Sequence, residues 1–273
     1  MGEKIKMKQL YFLHIPKTAG SFISGNIQNS INNDLLCYVG PIFSNSNEFL
    51  KSKIYISAHA GTYPVELLED VSVATLIRDP ISARASYFNF IYPRSLYDRN
   101  EYKNLPSNRE RFLYYLFEDK NFLIHNNYQS RFICNSSDPK SWDPEFFYAK
   151  HRSAMTSHVY EGKGFDWFVG NENTSIDNAI HNIDSFEIVN TVDNIEFFCG
   201  KIKNWFMLNH NIEVNFDFNN KINTGPSKLN EEPVSSEYFV NLLTQDEKDR
   251  VLELNNIDLE VYNFVKNKEA KNV

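Results

Sequence analysis

Residues Tyr11–Ser24, with the sequence YFLHIPKTAGSFIS, join an apolar strand pattern to a turn at Pro16–Ser21 and the start of a helix. The first N–H groups of a helix and a nearby lysine ammonium can together surround a phosphate group, because the amino end of a helix carries partial positive charge. The order of glycine and lysine in this turn differs from the Walker A pattern G-x-x-x-x-G-K-[ST], since Lys17 precedes Gly20 and the first glycine is absent. The stretch predicts a phosphate-binding strand–turn–helix unit, although an ordinary turn with an exposed lysine would fit this segment equally well.

A second segment, Val71–Tyr92, has the pattern of a buried parallel strand followed by a helix. Asp79 can cap that helix and Pro80 suits its first turn. Arg78 is therefore expected at the carboxyl end of the strand, where open parallel sheets bind ligands. Ser86 follows about two helical turns later. Because an arginine fork and a hydroxyl both donate hydrogen bonds to phosphate oxygens, this segment favours a second phosphate position.

These two segments resemble a known family. The stretch 14–21, HIPKTAGS, resembles the 5′-phosphosulfate loop of sulfotransferases that use 3′-phosphoadenosine 5′-phosphosulfate (PAPS). The stretch 77–88, IRDPISARASYF, resembles their 3′-phosphate-binding strand and helix. The most similar branch is the carbohydrate one, which includes heparan sulfate 2-O-sulfotransferase. Three further stretches match more weakly, at 127–132, 222–228 and 256–262, so the resemblance covers nearly the whole chain.

The resemblance implies an α/β fold with a P-loop-like central parallel sheet flanked by helices, the sulfotransferase fold, in a single domain over residues 1–273. It also implies that PAPS is the co-substrate and that no metal takes part. The acceptor would be a hydroxyl group of a carbohydrate or of a glycosylated metabolite.

The resemblance further implies roles for individual residues. Lys17 would contact the bridging oxygen of the donor and neutralise charge on the departing phosphate, while Arg78 and Ser86 would bind the 3′-phosphate. The late loop at 222–228 would close over the nucleotide with Lys228 at the 3′-phosphate, although an exposed loop lysine is an equal alternative. The remaining predicted donor contacts are the N–H groups of Thr18, Ala19, Gly20, Ser21 and Phe22, the Ser21 hydroxyl, and Thr224 and Ser227.

Sulfuryl transfer to a hydroxyl also needs a base that removes the acceptor proton. His59 follows the apolar strand pattern and precedes Gly61, and it aligns with the family histidine that serves as general base. The family histidine two positions earlier is Ser57 here. His14 is expected to be structural. The rate is expected to fall on the acid side near the histidine pKa, which is about 6.5 before any perturbation by the surroundings.

Along the chain, the polar segment 93–111 is predicted to be a long loop or a helix pair over the active site, and it is a candidate for an acceptor-side insertion. Its arginines and lysine could meet an anionic acceptor, but a solvated charged surface is favoured because acidic residues are interspersed. Two closing helices are predicted over 234–266, and the tail 267–273 is predicted to fray. Strand patterns occur at 9–15, 53–58, 72–78 and 186–192.

Composition restricts the possible partners. The 273 residues carry a net charge of −7, which argues against nucleic acid or an anionic membrane surface as a partner. The three cysteines lack C-x-x-C spacing and favour buried thiols in a reducing compartment. The first residues contain no apolar run long enough for a signal peptide or membrane anchor. The prediction is a cytoplasmic protein without membrane insertion, and a chain from which an anchor has been removed is the alternative.

Two other function classes stay open. A P-loop kinase would share the phosphate turn, but it should need a magnesium-binding carboxylate near a strand end, where this chain has Arg78. A non-catalytic nucleotide-binding module would keep Arg78 and Ser86 but lose the base. Gln129 and Arg131 could orient the acceptor or pack beneath it, and packing is favoured.

Overall fold

The structure is a computed structural model that describes residues 7–38, 47–123, 126–136, 174–219 and 235–271. Five strands form one parallel sheet in the order β2-β3-β1-β4-β5. Their bounds are β1 (Gln9–Leu13), β2 (Leu36–Tyr38), β3 (Tyr55–Ala58), β4 (Val71–Ile77) and β5 (Ile188–Thr191). The predicted α/β class and parallel sheet are confirmed. The four predicted strands are present within one or two residues of their expected bounds, and the three-residue strand β2 was not predicted.

The described helices are α1 (Gly20–Ser30), α2 (Asn47–Lys51), α3 (Tyr63–Glu66), α4 (Pro80–Ile91), α5 (Asn100–Lys103), α6 (Asn108–Phe117), α7 (Lys120–Leu123), α8 (Tyr128–Cys134), α9 (Ile176–Ser185), α10 (Ile195–His210), α11 (Ser236–Asn241), α12 (Gln245–Leu254) and α13 (Asn256–Ala270). Short 3₁₀ turns cover Asn33–Leu35 and Val192–Asn194, and a π-helical turn covers Tyr92–Leu96.

Helices cover both faces of the sheet, which explains why strand β1 is apolar after its first residue, Gln9. Leu10 and Phe12 face a core cluster that includes Ile27 of α1 and Phe206 of α10. Tyr11 and Leu13 face the opposite cluster, which contains side chains of α4, α6, α8 and α13. Successive strand residues point to opposite faces, so a strand that is buried on both sides needs apolar residues at every position.

The polar segment 93–111 forms the π-helical turn, α5 and the start of α6, so the helix-pair alternative is the correct one. Its basic residues are partly neutralised by carboxylates. Arg99 lies 3.2 Å from Asp119, and Arg109 lies 2.5 Å from Glu247. The preferred interpretation of a mixed, solvated charged surface therefore fits better than that of an anion-binding patch.

The carboxyl-terminal region differs from the prediction in two ways. Three helices, α11 to α13, replace the two that were expected after residue 234. Helix α13 also continues to Ala270, so the tail predicted to fray from residue 267 is helical through that residue. Glu269 accepts hydrogen bonds from the Thr191 N–H group at 2.6 Å and from the Asn190 side chain at 2.8 Å, which ties the helix to the end of β5.

Candidate functional site

The candidate site lies where the carboxyl ends of three neighbouring strands meet. Strand β1 occupies the middle of the sheet between β3 and β4, and the chain crosses over it when passing from β3 to β4. Such a switch in strand order opens a crevice beyond the carboxyl ends of the strands. The loop His14–Ala19 follows β1, His59 follows β3, and Arg78 follows β4. The topology thus brings together three segments that are far apart in sequence.

The loop after β1, called the phosphate loop below and comprising His14–Ala19, has an unusual backbone. Lys17 and Ala19 both have left-handed conformations, with φ angles of 68° and 64°. This region is disfavoured for residues with a Cβ atom and is typical of loops whose N–H groups converge on an anion. No side chain caps α1. Among the described residues, none accepts a hydrogen bond from the N–H groups of Gly20 or Ser21. These two donors are therefore available to a ligand.

Two of the predicted N–H donors are instead used within the protein. Thr18 is fully buried, and both its N–H group and its hydroxyl donate to the Ile15 carbonyl, at 3.4 and 2.8 Å. The Phe22 N–H group donates to the Ala19 carbonyl at 3.0 Å. Thr18 and Phe22 therefore stabilise the turn, whereas the N–H groups of the buried Gly20 and the exposed Ser21 have no acceptor among the described residues.

Lys17 extends toward helix α4. Its Nζ atom lies 4.4 Å from the centre of the Phe90 ring. Ser86 precedes Phe90 by four residues, and residues four apart lie on the same face of a helix. Ser86 therefore lies on the α4 face that is turned toward the phosphate loop. Its half-buried hydroxyl has no hydrogen-bond partner among the described residues, as expected for a group that contacts a ligand.

Arg78 joins the phosphate loop to the carboxyl-terminal helices. Its Nη1 atom donates to the Lys17 carbonyl at 3.1 Å and its Nη2 atom donates to Ser236 Oγ at 2.9 Å. Burial lowers the pKa of Arg78 from its ordinary value, although the nearby phenol of Tyr128 and carboxylate of Asp193 oppose that shift. Because the guanidinium is surrounded largely by protein, an anion that reached it would find a weakly hydrated positive charge.

Gln129 holds Arg78 through the backbone. Its amide oxygen accepts from the Arg78 N–H group at 2.9 Å, and its amide nitrogen donates to the Arg78 carbonyl at 2.8 Å. Gln129 is fully buried, so the packing role favoured from the sequence fits its position. Tyr128, the preceding residue, donates from its hydroxyl to the Pro16 carbonyl at 3.1 Å. Helix α8 thus positions both the phosphate loop and Arg78.

Two of the weaker matching stretches contact each other. Asn127 Oδ1 accepts from the N–H groups of Ile257 and Asp258, at 3.0 and 3.2 Å. The Asp258 carboxylate in turn accepts from the Ser130 N–H group at 2.7 Å and from its hydroxyl at 2.6 Å. Burial raises the pKa of Asp258, and these hydrogen bonds oppose that rise. The sequence did not reveal this contact, because it joins residues about 130 positions apart.

His59 and His14 lie side by side at the start of the crevice, with ring centroids 4.2 Å apart. His59 Nδ1 is hydrogen-bonded to the His14 carbonyl. A carbonyl only accepts, so Nδ1 carries the proton and the lone pair remains on Nε2. Burial lowers the pKa of His59 to about 4. His59 is thus neutral at pH 7, and its pKa lies below the unperturbed value of about 6.5 because burial penalises the imidazolium.

The loop that carries His59 is held by close backbone contacts. Gly61 has a φ angle of 59°, and a Cβ atom at this position would lie 2.1 Å from the Asn135 carbonyl oxygen. The Tyr11 hydroxyl donates to the Gly61 carbonyl at 2.6 Å, and the Thr62 N–H group donates to the Asn135 carbonyl, also at 2.6 Å. Only glycine fits here, and its position relative to His59 was visible in the sequence as the pattern His-x-Gly.

A cavity of about 90 Å³ lies between these groups. It is lined by His14, Pro16, Lys17, Ala19, Gly20, Ser21, His59 and Phe90. Its volume is about three times the share of one water molecule in the liquid, which suits a phosphate or sulfate group. A larger cavity of about 550 Å³ lies at the starts of β4 and β5. It extends to Ser136, next to residues outside the described part of the chain, and is at the wrong end of the strands for a ligand of a parallel sheet.

The predicted contacts Thr224, Ser227 and Lys228 lie outside the described residues. Within the described residues, no group of three or more histidine, cysteine, aspartate or glutamate side chains could hold a metal ion. The same part of the chain contains no helix with the length and apolar character needed to cross a bilayer.

Comparison with known proteins adds no relative. No protein-family model matches this chain, and no curated protein sequence is recognisably similar to it. Functional inference therefore depends on the motifs and on the geometry of the site.

Proposed function

We propose that this protein transfers a sulfuryl group from PAPS to a hydroxyl group of a carbohydrate or glycosylated metabolite, with the sulfotransferase fold. The observation that carries the proposal is the pairing of a neutral imidazole with a lysine at one anion-sized cavity. His59, with its lone pair on Nε2, and Lys17 both line this cavity beside the unused N–H groups of Gly20 and Ser21. A base and a cation that line the same anion-sized cavity suit group transfer to a hydroxyl.

In the proposed reaction, His59 Nε2 removes the proton of the acceptor hydroxyl as its oxygen attacks the sulfur atom. The bond between sulfur and the bridging oxygen breaks, and the electron pair leaves with the 5′-phosphate. Negative charge grows on that phosphate, and it is stabilised by the Lys17 ammonium and by the N–H groups at the start of α1. Arg78 and Ser86 bind the 3′-phosphate on the side of α4.

Binding of nucleotides tests the donor assignment without knowledge of the acceptor. We expect 3′-phosphoadenosine 5′-phosphate to bind without metal, with an affinity about 30-fold or more above that of 5′-AMP, since a buried charged hydrogen-bond partner is worth on the order of 2–5 kcal/mol. Isothermal titration calorimetry on wild type, Ser86→Ala and the control Ser52→Ala, an exposed serine after α2, measures this difference. Equal affinity for the two nucleotides, or tight binding of ATP only with magnesium, would contradict the assignment and favour a kinase.

Transfer itself needs a panel of glycans and hydroxylated metabolites with PAPS as the donor. Release of the bisphosphate that depends on an added acceptor supports the enzyme. Tight bisphosphate binding without transfer to any acceptor supports a non-catalytic binding module.

A further inference from the structure

His14 has no role in the proposed reaction, although its ring borders the same cavity as His59 and Lys17. The ring is partly buried, and among the described residues neither of its nitrogens has a hydrogen-bond partner. Polar side chains that are removed from bulk water normally find a partner. The ring therefore has an unused hydrogen-bonding capacity at an anion-sized cavity.

The ring nitrogen lies close to the first donor of helix α1. A Cβ atom built on Gly20 would lie 1.9 Å from His14 Cδ2 and 2.1 Å from His14 Nε2. Standard backbone geometry separates a Cβ atom from its own nitrogen by about 2.5 Å, so Nε2 lies within about 4.6 Å of the Gly20 nitrogen. Two N–H groups can share one oxygen when their nitrogens are up to about 6 Å apart. One ligand oxygen could thus accept from both groups.

The chemistry of the ring suits this contact. Burial, together with the nearby His59 and Lys17, holds the pKa of His14 well below its usual range, so the ring is neutral at pH 7. A neutral imidazole carries one N–H donor, and an oxyanion beside Nε2 selects the tautomer with the proton on that atom. Among the described residues, His59 and Lys17 are the titratable groups next to this ring that also line the cavity.

We propose that His14 binds the sulfate donor directly, with its Nε2–H group donating to an oxygen of the 5′-phosphosulfate that also accepts from the Gly20 N–H group. This inference depends on the proposed function, because it assigns the 5′ side of PAPS to the phosphate loop. It also explains the glycine at position 20, whose φ angle is not left-handed: any side chain there would displace the His14 ring.

Nitrogen-15 NMR of histidine-labelled protein tests the contact without turnover. PAPS should move the His14 ring to the Nε2–H tautomer and raise its pKa by about one unit or more, because an adjacent anion favours the charged form. The control ligand 3′-AMP, which lacks the 5′ group, should leave the His14 signals unchanged. A His14 ring that responds equally to both ligands, or to neither when PAPS is bound, would overturn the contact while leaving the proposed function intact.

Two substitutions at His14 test whether its ring binds the ligand or only fills the space between Gly20 and His59. His14→Phe keeps a ring between Gly20 and His59 and keeps the carbonyl that holds His59, but it removes the donor. We expect it to weaken PAPS binding by about tenfold or more without changing the affinity for 3′-AMP. His14→Gln restores a donor and should recover part of that loss.

Thermal unfolding of both variants checks that each is folded at the assay temperature. Wild-type PAPS affinity in a folded His14→Phe variant would show that the ring is only a spacer. Failure of wild-type protein to bind PAPS would overturn the proposed function and this inference together, whereas binding that is sensitive to Lys17→Ala but not to His14→Phe would overturn this inference alone.

Discussion

The two loops that flank the candidate cavity reach their positions in opposite ways. The loop after β1 adopts left-handed conformations at Lys17 and Ala19, where a Cβ atom is disfavoured, and it leads into a helix start with unused N–H groups. The loop after β3 uses a glycine for its left-handed residue, and its backbone is bonded to Tyr11 and Asn135. The first loop stores strain and leaves donors for a ligand, as functional loops often do. The second holds one imidazole in a single orientation.

The largest expected effect concerns the base. His59→Ala should lower turnover by about 10²–10⁴-fold, because among the described residues that line the cavity only His59 has a ring lone pair oriented by a hydrogen bond. Affinity for the bisphosphate should stay near that of wild type. Steady-state kinetics and calorimetry measure both quantities, with the exposed His181→Ala as the control. If the variant retained more than about a third of wild-type turnover, another residue would be the general base.

The cation of the phosphate loop should have the next largest effect. Lys17→Ala should lower kcat by about 10²–10³-fold and raise the KM for PAPS less, because charge on the leaving phosphate is largest in the transition state. The control is Lys203→Ala on the exposed side of α10. An increase in the KM for PAPS with unchanged kcat would show that Lys17 only binds the donor.

A methyl group added in the loop after β3 should reduce stability, whereas one added in helix α10 should not. Gly61→Ala combines a left-handed φ angle with a clash against the Asn135 carbonyl, so it should lower the free energy of unfolding by about 2–4 kcal/mol. Gly200→Ala in α10 meets no atom within 4 Å and should instead stabilise the protein by about 0.5–1 kcal/mol. Urea denaturation compares the two variants, and similar values for both would show that the loop relaxes.

The pH dependence separates a buried base from an exposed one. Because the folded-state pKa of His59 is about 4, kcat/KM should stay high below pH 6 and fall only as the pH approaches 4. The free energy of unfolding should change over a wider range of pH, between about 6.5 and 4. The unfolded state binds a proton near pH 6.5 and the folded state does not, so the free energy of unfolding falls as the pH drops from about 6.5 to 4.

His59→Gln should reduce that slope in urea denaturation between pH 7 and pH 4. An activity midpoint near 6.5 in wild type would mean that water reaches the ring.

The smallest effect tests the strain in the phosphate loop. Ala19→Gly should raise the free energy of unfolding by up to about 1 kcal/mol, because glycine adopts a left-handed conformation without steric cost. The same change in the interior of α9, Ala179→Gly, should lower it by about 1 kcal/mol or more. Destabilisation by Ala19→Gly would show that the loop backbone is unstrained.

Local sequence patterns predicted much of the secondary structure. The apolar runs of β1 and β4, the cap and proline at the start of α4, and the lysine at the first turn act over a few residues, and the structure agrees with them. Strand β2 was not predicted because its three residues show no periodic pattern. The predicted range of β1, 9–15, was too long because the chain turns at His14. The assignment of PAPS and of an acceptor hydroxyl stays a prediction.

The sequence by itself determined which segments become strands and helices and which polar residues stand at strand ends, because propensity, capping and hydrophobic period are local properties. Tertiary structure alone decided that His59 donates to the His14 carbonyl, that Gln129 holds Arg78, and that Asn127 meets Asp258. It also decided the low pKa of His59, since burial depends on what packs around the ring. These contacts join residues between 45 and 131 positions apart, and only the pairing of the strands and the packing of helices on the sheet bring them within hydrogen-bonding distance.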